Sequence, residues 1–321
     1  MFMAVLYFYH TLRFYLKERS ALFLSYLFGL YPPFFRHMHQ LLTETLSVLL
    51  ICGIIYHICK IYNDDKKSQF HLLIASLYLG YLALTKIFFG YVILSGLLLF
   101  LFLFFLKRKN VFKKTLMVYA LALLVCLPYL FYTYSLTGKI FYWGNSGGLS
   151  LYWMSTPYDN EFGDWFGFYD PEEYPKLFKN HVGFFGKLQN LSSIQRDEEL
   201  KKQAIQNIIN NPSKFFMNWL ANIGRLVFSY PYTYSKQKLS TYFYIIPNMF
   251  IAVFSVLCFY LSCKAWRHIP YEIYALLLFG IISFLGSSLL SAYSRQFTPL
   301  VPVFILWISF IVIRFIRIEI T

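Results

Sequence analysis

Residues 69–106 read QFHLLIASLYLGYLALTKIFFGYVILSGLLLFLFLFFL, two apolar runs (69–85 and 87–106) divided by one charged residue, Lys86. An apolar run of about 20 residues is long enough to cross the hydrocarbon core of a bilayer as a helix. Inside that core the backbone must satisfy its own hydrogen bonds, which leaves helices as the form such runs take. Thr85-Lys86 is too short for anything but a tight turn, so the stretch predicts a helical hairpin standing in a membrane.

Seven further runs have the same character: 1–16, 20–35, 39–61, 114–136, 241–263, 270–290 and 297–316. The second stops at Tyr31-Pro32-Pro33, where proline ends a helix. The expectation is an all-α polytopic membrane protein of about nine transmembrane helices. Composition agrees: 58% of residues are hydrophobic and 14% charged, where soluble domains carry roughly 25% charged. The net charge of +14 does not argue for nucleic acid, because Lys and Arg fall in short clusters between the apolar runs. Cys52, Cys59, Cys126, Cys258 and Cys263 lie in or at the ends of these runs and read as small buried hydrophobes.

Basic residues favour the cytoplasmic side. Lys17/Arg19, Lys60/Lys66/Lys67, Lys107 to Lys114, Lys264/Arg267 and Arg314/Arg317 can all lie there if the spans alternate and Lys214–Tyr230 does not cross. That last stretch places Asn218, Asn222 and Arg225 at helical spacing among Phe215, Phe216, Trp219, Leu220, Ile223 and Val227. It reads as an amphipathic helix lying on the outer membrane surface. The chain then divides into an N-terminal bundle (1–137), an extracytoplasmic loop region with that interfacial helix (138–240) and a C-terminal bundle (241–321). Within the loop, Asp197 to Asn211 reads as a helix stopped by Asn211-Pro212.

Three cations run against the charge rule by falling near the outer face: Arg36, Lys86 and Arg295. They are candidates to hold an anion, most simply a lipid phosphate, with snorkelling helix ends as the plainer reading. Glu44 lies about a turn inside an apolar span, where a carboxylate needs a partner or a wet cavity. Gly144-Asn145-Ser146-Gly147-Gly148 is not a Walker loop, since no Gly-Lys-Ser/Thr follows. Its aromatic company, Tyr142, Trp143, Tyr152, Trp153 and Trp165, fits sugar stacking and an interfacial belt equally. The acidic run Asp159, Glu161, Asp164, Asp170, Glu172 and Glu173 reads as a solvated face. No spacing of histidines or cysteines marks a metal site, and no motif calls for a soluble cofactor.

Taken in order, these features resemble the protein O-mannosyltransferase-like branch of the GT-C membrane glycosyltransferases. Tyr31-Pro32 with Leu41-Leu42-Thr43-Glu44-Thr45-Leu46 resembles one family passage. Leu79 to Lys86 resembles the hairpin, with Lys86 where Arg is usual. Asn145, Gly147, Gly148 and Tyr152 fall in a passage similar to the family's outer loop, and Arg295 to Pro302 resembles its closing span. The resemblance implies transfer of a sugar from a polyprenyl-phosphate donor to a protein or glycolipid acceptor on the extracytoplasmic side. Lys86 and Arg295 match the positions expected to meet the lipid phosphate; Arg36 has the right side without a motif match. By the same resemblance the family's first span and its catalytic acidic loop are not seen here, for no acidic residue precedes Glu18, and the expectation is either a sequence truncated at its N-terminus or a protein without the usual base. The catalytic carboxylate is therefore not identified in this sequence. A transporter or flippase of a lipid-linked anion, and an inactive family member, stand as alternatives.

Overall fold

The computed structural model describes all residues except 39–42, 65–66, 108–109, 167–174, 231, 234–237 and 317–321; at 36–38, 107, 110 and 175–178 it describes the backbone alone. Fourteen helices, and no strand, occur among the described residues.

The hairpin forms as expected. Helix α5 (Ser68–Thr85) and α6 (Phe88–Lys107) turn about Lys86. Together with α4 (Glu44–Asn63), α7 (Asn110–Thr137), α12 (Tyr242–Lys264), α13 (Tyr271–Ser288) and α14 (Val301–Phe315), they bring to seven the described helices long and apolar enough to span. The chain is an all-α polytopic membrane protein. The count falls short of nine because the first two runs make short helices, α1 (Phe2–Leu12) and α2 (Glu18–Gly29). At about 1.5 Å per residue, neither reaches across a core roughly 30 Å thick. A turn bridged by Arg13 and Glu18, 3.5 Å apart, joins them. Phe8 then stacks on Phe28 with centroids 4.6 Å apart, so the two lie antiparallel. Pro32 begins α3 (Pro32–Met38), in the first-turn position where proline is tolerated.

Hydrogen bonds between helix ends define the two ends of the bundle. At one end, Tyr62 Oη meets Thr115 Oγ1 at 2.7 Å and Lys114 Nζ donates to the Ile61 carbonyl. There too, Tyr15 Oη and Asn63 Nδ2 both donate to Glu272 Oε1, at 2.8 and 3.1 Å. Lys60, Lys67, Lys114, Lys264, Arg267 and Arg314 belong to helix ends on this side. The other end carries the start of α4, the α5–α6 turn and the α13–α14 connection. The segment 138–238 returns to this same end, where the Ser291 N–H donates to the Ser150 carbonyl at 3.2 Å.

This segment builds its own core. Helices α8 (Gly147–Met154), α9 (Pro175–Leu188) and α10 (Ser193–Asn210) close over Tyr152, Trp153, Phe166, Phe185, Leu188, Leu200 and Ala204. Helix α10 starts four residues before the expected Asp197, because Ser192 and Gln195 form a reciprocal capping box. Helix α11 (Pro212–Phe228) has the expected amphipathic pattern, but its polar stripe faces inward. Asn218, Asn222 and Arg225 are buried, while Phe216, Met217 and Leu220 are exposed. Asn222 Nδ2 donates to the Ser288 and Leu290 carbonyls, and its Oδ1 accepts from the Ala292 N–H and from Arg225. The polar groups of α11 therefore join the loop region to the bundle, and the apolar face is left outward.

Candidate functional site

Glu44 opens α4, and its side chain is buried. Lys86 reaches it from the α5–α6 turn, with Nζ 3.0 Å from Glu44 Oε1. Arg295 approaches the same oxygen from a 3₁₀ turn (Ser294–Gln296), its Nε at 4.0 Å. Two cations and one carboxylate, from segments 42 to 251 residues apart in the chain, thus share one point and leave one net positive charge.

A cavity of about 300 Å³ opens beside them, walled by Thr43, Glu44, Lys86, Phe88, Ser287 and Arg295, among others. Two polar atoms on this wall are buried without a hydrogen-bond partner among the described residues, Glu44 Oε2 and Ser283 Oγ. An unsatisfied buried polar atom carries a cost of about 1–3 kcal/mol, so both invite a ligand or water. Lys86 and Arg295 differ in their setting: their side chains are 17% and 46% exposed. Burial draws the Lys86 ammonium below its ordinary value, and the Glu44 carboxylate opposes the shift. The arrangement can hold one monoanion between a mostly buried ammonium and a more exposed guanidinium, with Ser283 as a further donor.

The sequence brought Glu44, Lys86 and Arg295 forward one by one, and the fold gathers them. The side chain of Arg36 lies outside the described residues. Ser283 and Ser287 escaped notice; their signal was two small hydroxyls one helical turn apart in an apolar span.

The Gly-rich passage is placed elsewhere. Asn145 is exposed, but neither it nor Gly147, Gly148 or Tyr152 lines the cavity. The Gly148 N–H donates to Asp197 Oδ1 at 2.6 Å, and a Cβ on Gly148 would sit 2.3 Å from the Asp197 carbonyl oxygen. Gly148 lets α8 dock on α10. Tyr152 is buried, with its Oη 2.7 Å from His181 Nδ1. His181 Nε2 in turn meets Glu161 Oε2 at 3.0 Å, and Glu161 accepts from Asn180 Nδ2 at 2.9 Å and from the Thr156 hydroxyl.

That network corrects the reading of the acidic run as a solvated face. Glu161 and Asp164 are buried, Glu161 as described and Asp164 with Oδ1 3.6 Å from Arg225 Nε. Asp159 is exposed, as expected. Asp170, Glu172 and Glu173 lie outside the described residues. Among those described, no cluster of three or more His, Cys, Asp or Glu could hold a metal ion.

Residues 1–132 match the family model of dolichyl-phosphate-mannose-protein mannosyltransferases. The match covers Glu44 and Lys86, bears out the GT-C resemblance over that stretch and supports a membrane glycosyltransferase of the GT-C type. No curated protein and no solved structure matches the chain.

Proposed function

From this family relationship we propose that the chain moves a sugar from a polyprenyl-phosphate donor to an acceptor on the extracytoplasmic face, with Lys86 and Arg295 holding the lipid phosphate. The observation that carries the reading is the convergence of both cations on one cavity at the end of the bundle that bears the loop region. The basic helix ends at the opposite pole support a cytoplasmic placement there, and hence an extracytoplasmic loop.

In this reading the donor is a phosphodiester with one negative charge, which the single net positive charge of the cluster balances. An acceptor hydroxyl attacks the anomeric carbon as the bond from that carbon to the phosphate oxygen breaks. The electron pair stays on the departing polyprenyl phosphate, whose charge grows towards two as a monoester. The acceptor proton passes to a base or to water. Interactions that strengthen as this charge develops are those that speed the reaction. A charge pair 4 Å apart is worth about 1 kcal/mol in water and about 4 kcal/mol at an effective dielectric of 20, so the half-buried position of Lys86 matters. Glu44 acts here as a positioning residue, holding both cation heads at the cavity wall.

The test uses membranes containing the full chain and a radiolabelled polyprenyl-phosphate sugar. Transfer to endogenous acceptor that disappears in Lys86→Ala and Arg295→Ala supports the assignment; undiminished transfer in both variants refutes it. Sidedness is read separately. A cysteine at the exposed Asn145 should react with an impermeant maleimide added from the extracytoplasmic side, and protection from that reagent would overturn the placement.

A further inference from the structure

Of the five aromatic residues that the sequence suggested for sugar stacking, the fold commits three to packing. Trp143 is buried, with its ring so close to Gly90 that a Cβ there would lie 2.2 Å from Trp143 Cε2. Trp153 is fully buried against His181, centroids 4.6 Å apart. Tyr152 is held by His181 as described. Trp165 alone of the three tryptophans in that set is exposed, at 36%.

Its position is fixed in spite of that exposure. The Trp165 N–H donates to Asp164 Oδ1 at 2.9 Å, and its carbonyl accepts from Tyr293 Oη at 3.1 Å. The Trp165 and Tyr293 rings meet edge to face, centroids 6.3 Å apart. Tyr293 stands two residues from Arg295, whose guanidinium carbon lies 6.0 Å from the centre of the Tyr293 ring. A surface tryptophan clamped on both sides of its backbone, one side chain away from the cation on the cavity wall, has little packing to gain from that place.

Resting on the phosphate reading above, we propose that Trp165 and Tyr293 form a binding subsite for the sugar of the lipid-linked donor, a pyranose stacked by its C–H face. The chemistry suits the geometry. The face of an aromatic ring is electron-rich, whereas the axial C–H bonds of a pyranose present weakly positive hydrogens. In the donor the sugar is bonded directly to the phosphate. Neither ring lines the cavity itself, but a phosphate held by Arg295 brings the attached sugar next to Tyr293, over whose ring the guanidinium lies, and to Trp165 beside it. Backbone clamping pre-organises the platform, which lowers the ordering cost of binding.

The test compares binding of two ligands to the purified full chain in nanodiscs: polyprenyl phosphate without sugar, and polyprenyl-phosphate hexose. Trp165→Ala should weaken the sugar-bearing ligand about tenfold, equivalent to about 1.4 kcal/mol, and leave the bare lipid phosphate unchanged. Trp165→Phe, which keeps a ring, should recover most of the loss. Lys86→Ala should weaken both ligands alike. An unchanged ratio between the two ligands in Trp165→Ala overturns the subsite, as does equal loss of both. Unchanged binding of the bare phosphate by Lys86→Ala overturns instead the phosphate reading on which the subsite rests.

Discussion

Glu44 and Glu161 are both buried carboxylates, each beside a nitrogen base, and they differ in what surrounds them. Glu161 sits in a sealed core, where His181, Asn180 and Thr156 supply donors to both of its oxygens. Glu44 places one oxygen between Lys86 and Arg295 and leaves the other, among the described residues, without a partner beside a cavity. The first arrangement is complete without any further molecule and serves to hold α9 on the loop region. The second keeps hydrogen-bonding capacity facing open space, where a ligand or water fits. A buried charge by itself therefore says little about function; the unfilled hydrogen-bonding capacity next to open space is what separates a binding site from a strut.

The contrast can be broken at either end. The largest effect belongs to the sealed network. Glu161→Ala removes the acceptor for three donors, and at about 1–3 kcal/mol for each one left unsatisfied it should cost roughly 3 kcal/mol or more of stability. Thermal unfolding in detergent measures this, and the folded fraction should keep its normal turnover. Lys86→Ala should lower transfer about 100-fold, in the range found for removing one donor to a developing negative charge, with a smaller loss of stability than Glu161→Ala, because Arg295 stays beside Glu44. If both variants lose stability and neither loses specific turnover, the distinction between the two carboxylates fails.

Next in size is Gly148→Ala. The added methyl collides with the backbone of Asp197, and overpacking of this kind costs roughly 1–3 kcal/mol. Gly147→Ala serves as its control, because the nearest atom to a new Cβ there, on Lys201, is 3.9 Å away. Unfolding midpoints that fall by the same amount in both would remove the docking role given to Gly148. Arg295→Ala comes after these, with about a tenfold loss of transfer. Its side chain is more exposed than that of Lys86, and water weakens its hold on an anion. A loss equal to or greater than that of Lys86→Ala would reverse the order of the two cations.

Much of the membrane architecture was legible in the sequence because hydropathy is a local signal. The hairpin about Lys86 and the seven long helices follow from run length alone. The exceptions follow from length too: α1 and α2 are apolar but stop short, one at a turn bridged by an ion pair and the other before Tyr31-Pro32-Pro33. The cations were visible for a different reason, since Lys86 and Arg295 lie where the distribution of basic residues makes them unexpected.

What escaped was pairing across distance. Nothing near Glu161 announces that it will face His181 rather than water, and nothing near Gly148 announces Asp197, 49 residues away. The stripe on α11 was read with the correct period, but periodicity reports that two faces differ without saying what each one meets. In a soluble helix the polar face meets water. Here Asn218, Asn222 and Arg225 meet backbone carbonyls of the loop and the bundle. The start of α10 was recoverable, since Ser192 and Gln195 have the spacing of a capping box.

The central claim is that Lys86 belongs to a binding site for a lipid phosphate. Native mass spectrometry of the purified chain titrated with polyprenyl phosphate tests it without requiring an acceptor. The account predicts one saturable adduct on the native protein, lost in Lys86→Ala and retained in Glu161→Gln where that variant is folded. An adduct of equal affinity on Lys86→Ala would contradict it.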